Sequence, residues 1–245
     1  MRASRGWTFA KHRRECKLNM SKLTQILDSS VGQKIIAGAT GLALVGFLAV
    51  HMAGNLQIFA GADALNEYAE LLKSKALVLW GARLGLLTLI VLHIAMTVRQ
   101  YVRNRGLRSQ RYARETYQRT TAASRSMMVT GSLLLAFVVF HLLHFTVGVI
   151  LPGAYQQLDS EGRHDVYAMV VAAFGNPVIV IIYVVGMLAL ATHLKHAISS
   201  AWQTLGLVRD GNESKLRKLS PILAAIIIAG FLAVPLSVSL GLVGS

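Results

Sequence analysis

The run MMVTGSLLLAFVVFHLLHFTVGVIL, residues 127–151, decides the fold. It holds no Asp, Glu, Lys or Arg in 25 residues. As a helix rising about 1.5 Å per residue it outreaches the roughly 30 Å hydrocarbon core of a bilayer. Four other stretches read the same way: about Ile35 to Phe59, Ala76 to Val98, Val170 to Ala197 and Ile222 to Leu242. The sequence therefore predicts an all-α integral membrane protein, a bundle of five transmembrane helices. Composition agrees, with 54% hydrophobic and only 15% charged residues, against about 25% charged in soluble domains. Asn176-Pro177 and Ser220-Pro221 mark expected starts of the fourth and fifth spans, where proline's missing N–H needs no partner.

The segments between the spans alternate in charge. Residues 1–34, 99–125 and 199–218 together hold 20 of the 25 Lys and Arg. The other two connections, 59–75 and 152–168, carry Asp63, Glu67, Glu70, Asp159, Glu161 and Asp165. By the positive-inside rule the basic side is cytoplasmic, which puts the N-terminus inside and the C-terminus outside. The same rule accounts for the net charge of +14, and with this much apolar sequence nucleic acid is not an expected partner. Two regions follow, a basic cytoplasmic tail over residues 1–31 and a membrane domain over 32–245. The first 19 residues lack an apolar core and so do not read as a secretory signal; Met20-Ser21-Lys22 reads as an alternative start. Residues Ala64–Lys75 place Leu65, Tyr68, Leu71 and Leu72 at helical spacing, which predicts a short amphipathic helix at the outer interface. No internal repeat is apparent.

Cys16 is the single cysteine, so an intrachain disulfide and a cysteine-ligated iron–sulfur cluster are both excluded. Without a Gly-rich phosphate loop or a Ser/His/Asp arrangement, redox chemistry here requires a bound cofactor. The histidines are the candidates to hold one. His12 in the tail and His164 in an outer loop read as ordinary, but His51, His93, His141, His144, His193 and His196 lie within the spans. An ionisable residue at membrane depth is costly and faces the bundle interior with a partner. Topology sorts the six into an outer layer (His51, His141, His144) and an inner layer (His93, His193, His196), each drawing on two helices. Two facing imidazoles per layer are the donors of six-coordinate haem iron, which favours electron transfer. Zinc wants three or four ligands in one place, and a proton relay through buried histidines is the other competitor. Depth does not choose between His141 and His144, or between His193 and His196.

At this point the motifs carry a resemblance. Ala39-Thr40-Gly41-Leu42 is followed by His51-Met52-Ala53-Gly54-Asn55-Leu56. Phe140-His141-Leu142-Leu143-His144-Phe145 comes next, and His193-Leu194-Lys195-His196 leads to Trp202-Gln203-Thr204-Leu205-Gly206. From about Met20 onward the chain resembles the cytochrome b558-type membrane anchor of succinate dehydrogenase and fumarate reductase, the single-chain dihaem anchor of respiratory complex II. The resemblance implies two b haems, His51 and His141 as axial ligands of the distal one and His93 and His193 of the proximal one. It leaves His144 and His196 as neighbours of propionates or quinone. Lys34, Arg99, Arg125 and Ser126 become propionate candidates, and Glu67, Glu70 and Arg83 quinone candidates, though Arg83 also reads as a snorkelling side chain. A glutamate that some fumarate-reducing relatives carry two residues before the fourth-helix ligand is replaced by Ala191, which weakens the proton pathway linked to it. The implied setting is a bacterial cytoplasmic membrane, with possible higher oligomers. Flavoprotein and iron–sulfur subunits would sit on the cytoplasmic face and oxidise succinate, a tricarboxylic acid cycle step, and a quinone such as menaquinone would receive the electrons. The dihaem anchor of a different respiratory oxidoreductase, or a histidine-based proton or solute transporter, is the alternative.

Overall fold

The computed structural model describes residues 25, 27–106 and 126–244. The basic tail up to residue 24, with His12, Cys16 and the alternative start at Met20, lies outside the described residues. So do residues 107–125, and with them Arg125. The described elements are helical: α1 (Ser30–Asn55), a 3₁₀ turn (Leu56–Ala60), α2 (Ala62–Ser74), α3 (Ala76–Gly106), α4 (Met127–Leu142), a π turn (Leu143–Val147), α5 (Pro152–Tyr155), α6 (Val166–Phe174), α7 (Pro177–Thr204) and α8 (Glu213–Ser239). Five of these segments, built on α1, α3, α4, α7 and α8, are long and apolar enough to cross a membrane.

Three boundaries differ from the sequence expectation. The fourth span does not run unbroken from Val170. Residues up to Phe174 belong to α6, and the chain breaks at Gly175-Asn176 before α7 begins. There the Asn176 side chain accepts the Val178 N–H and Pro177 opens the helix, the capping chemistry that fixes a helix start. The fifth span starts earlier, at Glu213, so Pro221 and Pro235 both lie inside α8. Packing along α7 offsets the hydrogen bonds those prolines remove. The third span leaves α-geometry at Leu143, where a π turn widens the last turn before Gly148 in the left-handed region (φ 76°).

α7 is the hub of the bundle. It packs against α1, α4 and α8, while α3 packs chiefly against α1. The helices thus form a curved row, α3–α1–α7–α4, with α8 filling the groove beside α1 and α7. Buried Met187, Leu190, Leu194 and Ile198 of α7 meet Ala224, Ile227 and Ile228 of α8. A second core joins Ile58, Leu65, Phe174, Ile179, Tyr183, Val234 and Val238. Leu77, Val78, Trp80, Leu84, Leu87 and Val91 leave one side of α3 exposed, as a helix against lipid acyl chains requires.

One end of the bundle is basic, with Lys34, Arg99, Arg103, Lys215, Arg217 and Lys218; the other is acidic. At the basic end Asp28 ties α1 to α3, accepting from Arg99 Nη2 at 2.8 Å on its carboxylate and from Arg103 Nη1 at 2.9 Å on its carbonyl. At the acidic end α2 is locked under the 156–165 loop. Asn66, 2% exposed, donates to Asp159 Oδ2 (3.2 Å) and Asp165 Oδ1 (3.0 Å) and accepts the Tyr167 N–H (3.0 Å). Arg163 clamps Asp159, Asp63 and Glu161 from the same loop. The amphipathic helix expected at Ala64–Lys75 is thus present as α2, but it buries Leu65 and Asn66 and leaves Leu71 and Leu72 exposed. Replacing Asn66 by Ala strands buried hydrogen-bonding groups, which cost about 1–3 kcal/mol each when unpaired. Amide hydrogen exchange over residues 156–167 should accelerate in Asn66→Ala while the middle of α7 keeps wild-type protection.

Candidate functional site

The helix histidines fall into two groups. Near the acidic end the ring centres of His51 (α1) and His141 (α4) lie 5.8 Å apart and nearly perpendicular. An imidazole nitrogen binds a metal at about 2 Å. Its ring centre lies roughly 1 Å further back, so two axial imidazoles hold their centres roughly 6 Å apart. Each ring is backed by the phenylalanine one turn earlier, His51 by Phe47 (5.4 Å, interplanar 12°) and His141 by Phe137 (6.1 Å, 30°). Phe137 itself sits against Gly186 of α7, where a Cβ would come within 2.6 Å of its ring.

Near the basic end the structure holds His93 (α3) and His193 (α7), within electrostatic reach of one another. His93 Nδ1 lies 3.1 Å from the Ala37 carbonyl and 3.4 Å from Thr40 Oγ1. The Thr40 hydroxyl proton is already given to the Ile36 carbonyl at 2.7 Å, so both neighbours of Nδ1 are acceptors. His93 therefore carries its proton on Nδ1 and presents a lone pair at Nε2. His193 has a similar setting on α4: its Nδ1 lies 3.2 Å from Thr130 Oγ1, which also lies 3.1 Å from the Ser126 carbonyl and 3.2 Å from the Met127 carbonyl. The glycine after Thr40 makes room for the His93 ring, whereas the one after Thr130 leaves an ordinary contact. A Cβ on Gly41 would meet His93 Cε1 at 3.1 Å, and one on Gly131 would meet His193 Cε1 at 3.6 Å.

These contacts expose a repeat, contrary to the sequence reading that found none. Residues 40–51 and 130–141 share Thr-Gly, then Leu44/Leu134, Phe47/Phe137 and His51/His141. In both copies the Thr-Gly pair seats the histidine of the following long helix, and the Phe-His pair builds the other layer. From threonine to histidine along α1 or α4 is 11 steps, about 16 Å of helix rise. That is the spacing of the two layers.

The other expected residues are more dispersed. His144, 2% exposed, is stacked on Phe145 with ring centres 4.1 Å apart. His196 is part-buried one turn beyond His193, and Ala191 is part-buried on α7. Lys34 is exposed, Arg99 is engaged by Asp28, and Ser126 stands at the N-cap position of α4. Glu67 and Glu70 are exposed on α2, and the Arg83 guanidinium lies over the Trp80 ring at 5.1 Å, an ordinary cation–π pairing. His164 packs edge-on to Tyr155 in the acidic-end loop. One residue was not anticipated. The Tyr183 hydroxyl of α7 lies 3.2 Å from His141 Nδ1 and 3.1 Å from His144 Nδ1. It is the only phenol in the fourth span, and a buried O–H that must find a partner was its available signal.

Among the described residues no group of three or more His, Cys, Asp or Glu side chains converges as a metal cage. Nor does any described group hydrogen-bond Nε2 of His51, His93, His141 or His193, while Nδ1 of the last three is anchored. Imidazoles oriented through one nitrogen with the other left free are the donor set of axial haem ligation, and the residues present fit that group. No protein-family model, characterised protein or solved structure matches this chain.

Because Phe137 rests on Gly186, a larger residue there drives the ring against His141. Gly186→Val should lower thermal stability by about 1–3 kcal/mol, as overpacking does, read as a drop in Tm of the detergent-solubilised protein; Gly46→Val, at a position with open space around it, should not.

Proposed function

We propose that this chain is the dihaem membrane anchor and electron-transfer subunit of a succinate:quinone oxidoreductase in a bacterial cytoplasmic membrane. The observation that carries the reading is the pair of histidine layers about 16 Å apart along the helices, with imidazoles offered from two helices in each and their Nε2 atoms free of protein partners. Two b haems, held by His51 with His141 and by His93 with His193, would supply one-electron chemistry between an iron–sulfur partner and a quinone such as menaquinone. The chain's own part is positional. The Ala37 carbonyl sets His93 by accepting from Nδ1–H, and Thr40 and Thr130 hold a hydroxyl against Nδ1 of His93 and His193. Phe47 and Phe137 back the other pair of rings.

The basic end, read as cytoplasmic, is the face for the iron–sulfur and flavoprotein subunits that oxidise succinate. This orientation puts the N-terminus inside and the C-terminus outside. The acidic end, with Glu67, Glu70 and Arg83, is then the outer side. The motifs around the histidines favour complex II over the dihaem anchor of another respiratory oxidoreductase. A transporter would share the repeated halves found here. The break at Gly175-Asn176, however, sits at the acidic end beside α2 rather than at mid-bundle, so it forms no midplane site.

The purified complex should show a reduced low-spin b-type spectrum with two haems per chain and co-purify with flavin and iron–sulfur subunits; a colourless complex with full quinone reductase activity overturns the reading. His141→Ala should lose one haem and keep the one on His93 and His193. The threonines give a graded test. His93 keeps the Ala37 carbonyl when Thr40 is changed, whereas among the described residues His193 has Thr130 alone at Nδ1. Thr130→Val should therefore shift the midpoint potential of the basic-end haem more than Thr40→Val does, measured by redox titration of the optical spectrum.

A further inference from the structure

The geometry points to Tyr183 as the residue that decides which of His141 and His144 is a ligand, by forcing the two imidazoles into opposite tautomers. This inference rests on the haem reading above.

The Tyr183 side chain is buried, and its hydroxyl has two neighbours within hydrogen-bonding distance among the described residues, His141 Nδ1 and His144 Nδ1. The hydroxyl owns a single proton and can also accept. If both histidines carried Nδ1–H, the phenol proton would have no acceptor. If neither did, one nitrogen lone pair would go unmet. Either arrangement leaves a polar group unpaired in an apolar aromatic setting of Phe137, Phe140, Phe145 and Phe174, at a cost of about 1–3 kcal/mol. The arrangement that meets the hydroxyl and both Nδ1 atoms has one histidine donating to Tyr183 from Nδ1 and the other accepting the Tyr183 proton at Nδ1. The first has an Nε2 lone pair and can ligate a metal; the second bears its proton on Nε2 and cannot.

Surroundings assign the roles. His141 faces His51 across 5.8 Å with no hydrogen bond between them among the described residues, as two imidazoles do when both offer lone pairs to something between them. His144 is 2% exposed, stacked on Phe145 and tilted against Phe140, and faces no second imidazole across a gap as His141 faces His51 among the described residues. His141 is thus the Nδ1–H donor and the ligand, and His144 is the Nε2–H acceptor of the Tyr183 proton. Tyr183 is a positioning residue, acting on the haem iron only through His141. Among the described residues the basic-end layer has no such shared hydroxyl, because Thr40 and Thr130 each face a single imidazole.

The test uses the complex as purified, with Tyr183→Phe, which removes the hydroxyl and little volume. Losing the acceptor on Nδ1–H makes His141 a weaker electron donor to iron. The haem that disappears in His141→Ala should therefore shift its low-temperature EPR g-values and raise its midpoint potential in Tyr183→Phe, while the other haem keeps both. His144→Phe should retain two haems. The inference is overturned if Tyr183→Phe leaves both haems' g-values and potentials at wild-type values, if it moves both alike, or if His144→Phe loses the acid-end haem. Absence of low-spin haem in the wild-type complex would instead sink the functional reading itself, so the two failures are distinguishable.

Discussion

A neutral imidazole has one N–H and one lone pair to dispose of, and inside a bundle of bilayer length there is little water to take either. Much of the site's architecture follows from how this chain meets that demand. Beside His93 the Ala37 carbonyl can only accept, which pins the N–H of that ring to Nδ1, and Thr40 and Thr130 each hold a hydroxyl against the Nδ1 of an imidazole on a neighbouring helix. Among the described residues Nε2 of His93 and His193 has no hydrogen-bonding partner. A valine at either threonine position would satisfy the helix as well but would offer Nδ1 nothing to bond. Gly41 lets the His93 ring lie close against α1.

How much of this could be read from the sequence depends on the physical range of each signal. Charge-free runs are long-range averages, so the five long apolar helices stood out from composition. Breaks are local and depend on one or two residues. Asn176-Pro177 marked the start of α7, but nothing in the run before it distinguished Val170–Phe174 as a separate helix, because those residues are as apolar as the helix they precede. Pro221 misled in the other direction: proline marks many helix starts, yet α8 carries it inside, where contacts with α7 hold the helix together. The repeat escaped notice because only five of twelve positions agree between residues 40–51 and 130–141, and the rest of both runs is generic apolar helix. Tyr183 is visible in the sequence as a phenol in an apolar run, but which atoms it would meet is a property of packing between α4 and α7 and has no local signature.

The two copies of the repeat are not equivalent in their surroundings. α4 is pressed against the hub helix, with Phe137 seated on Gly186. α1 touches the hub as well but also carries α3, which has little else to hold it beyond the Asp28 contacts and the short α2. Surface ion pairs such as Arg99–Asp28, each half exposed, contribute about 0–1 kcal/mol and do little to anchor a helix of this length.

That one-sided attachment bears on assembly. As the chain is made, α1 and α3 complete a hairpin before α4 and α7 exist, so His93 is in place while the imidazole opposite it is still to come. The hairpin's later hold on the rest of the molecule runs through α1 along one seam. Any group gripping His93 and His193 together would act as a cross-brace between α3 and the hub, and the cofactor in such a site would be as much a fastener of the bundle as its chemical cargo.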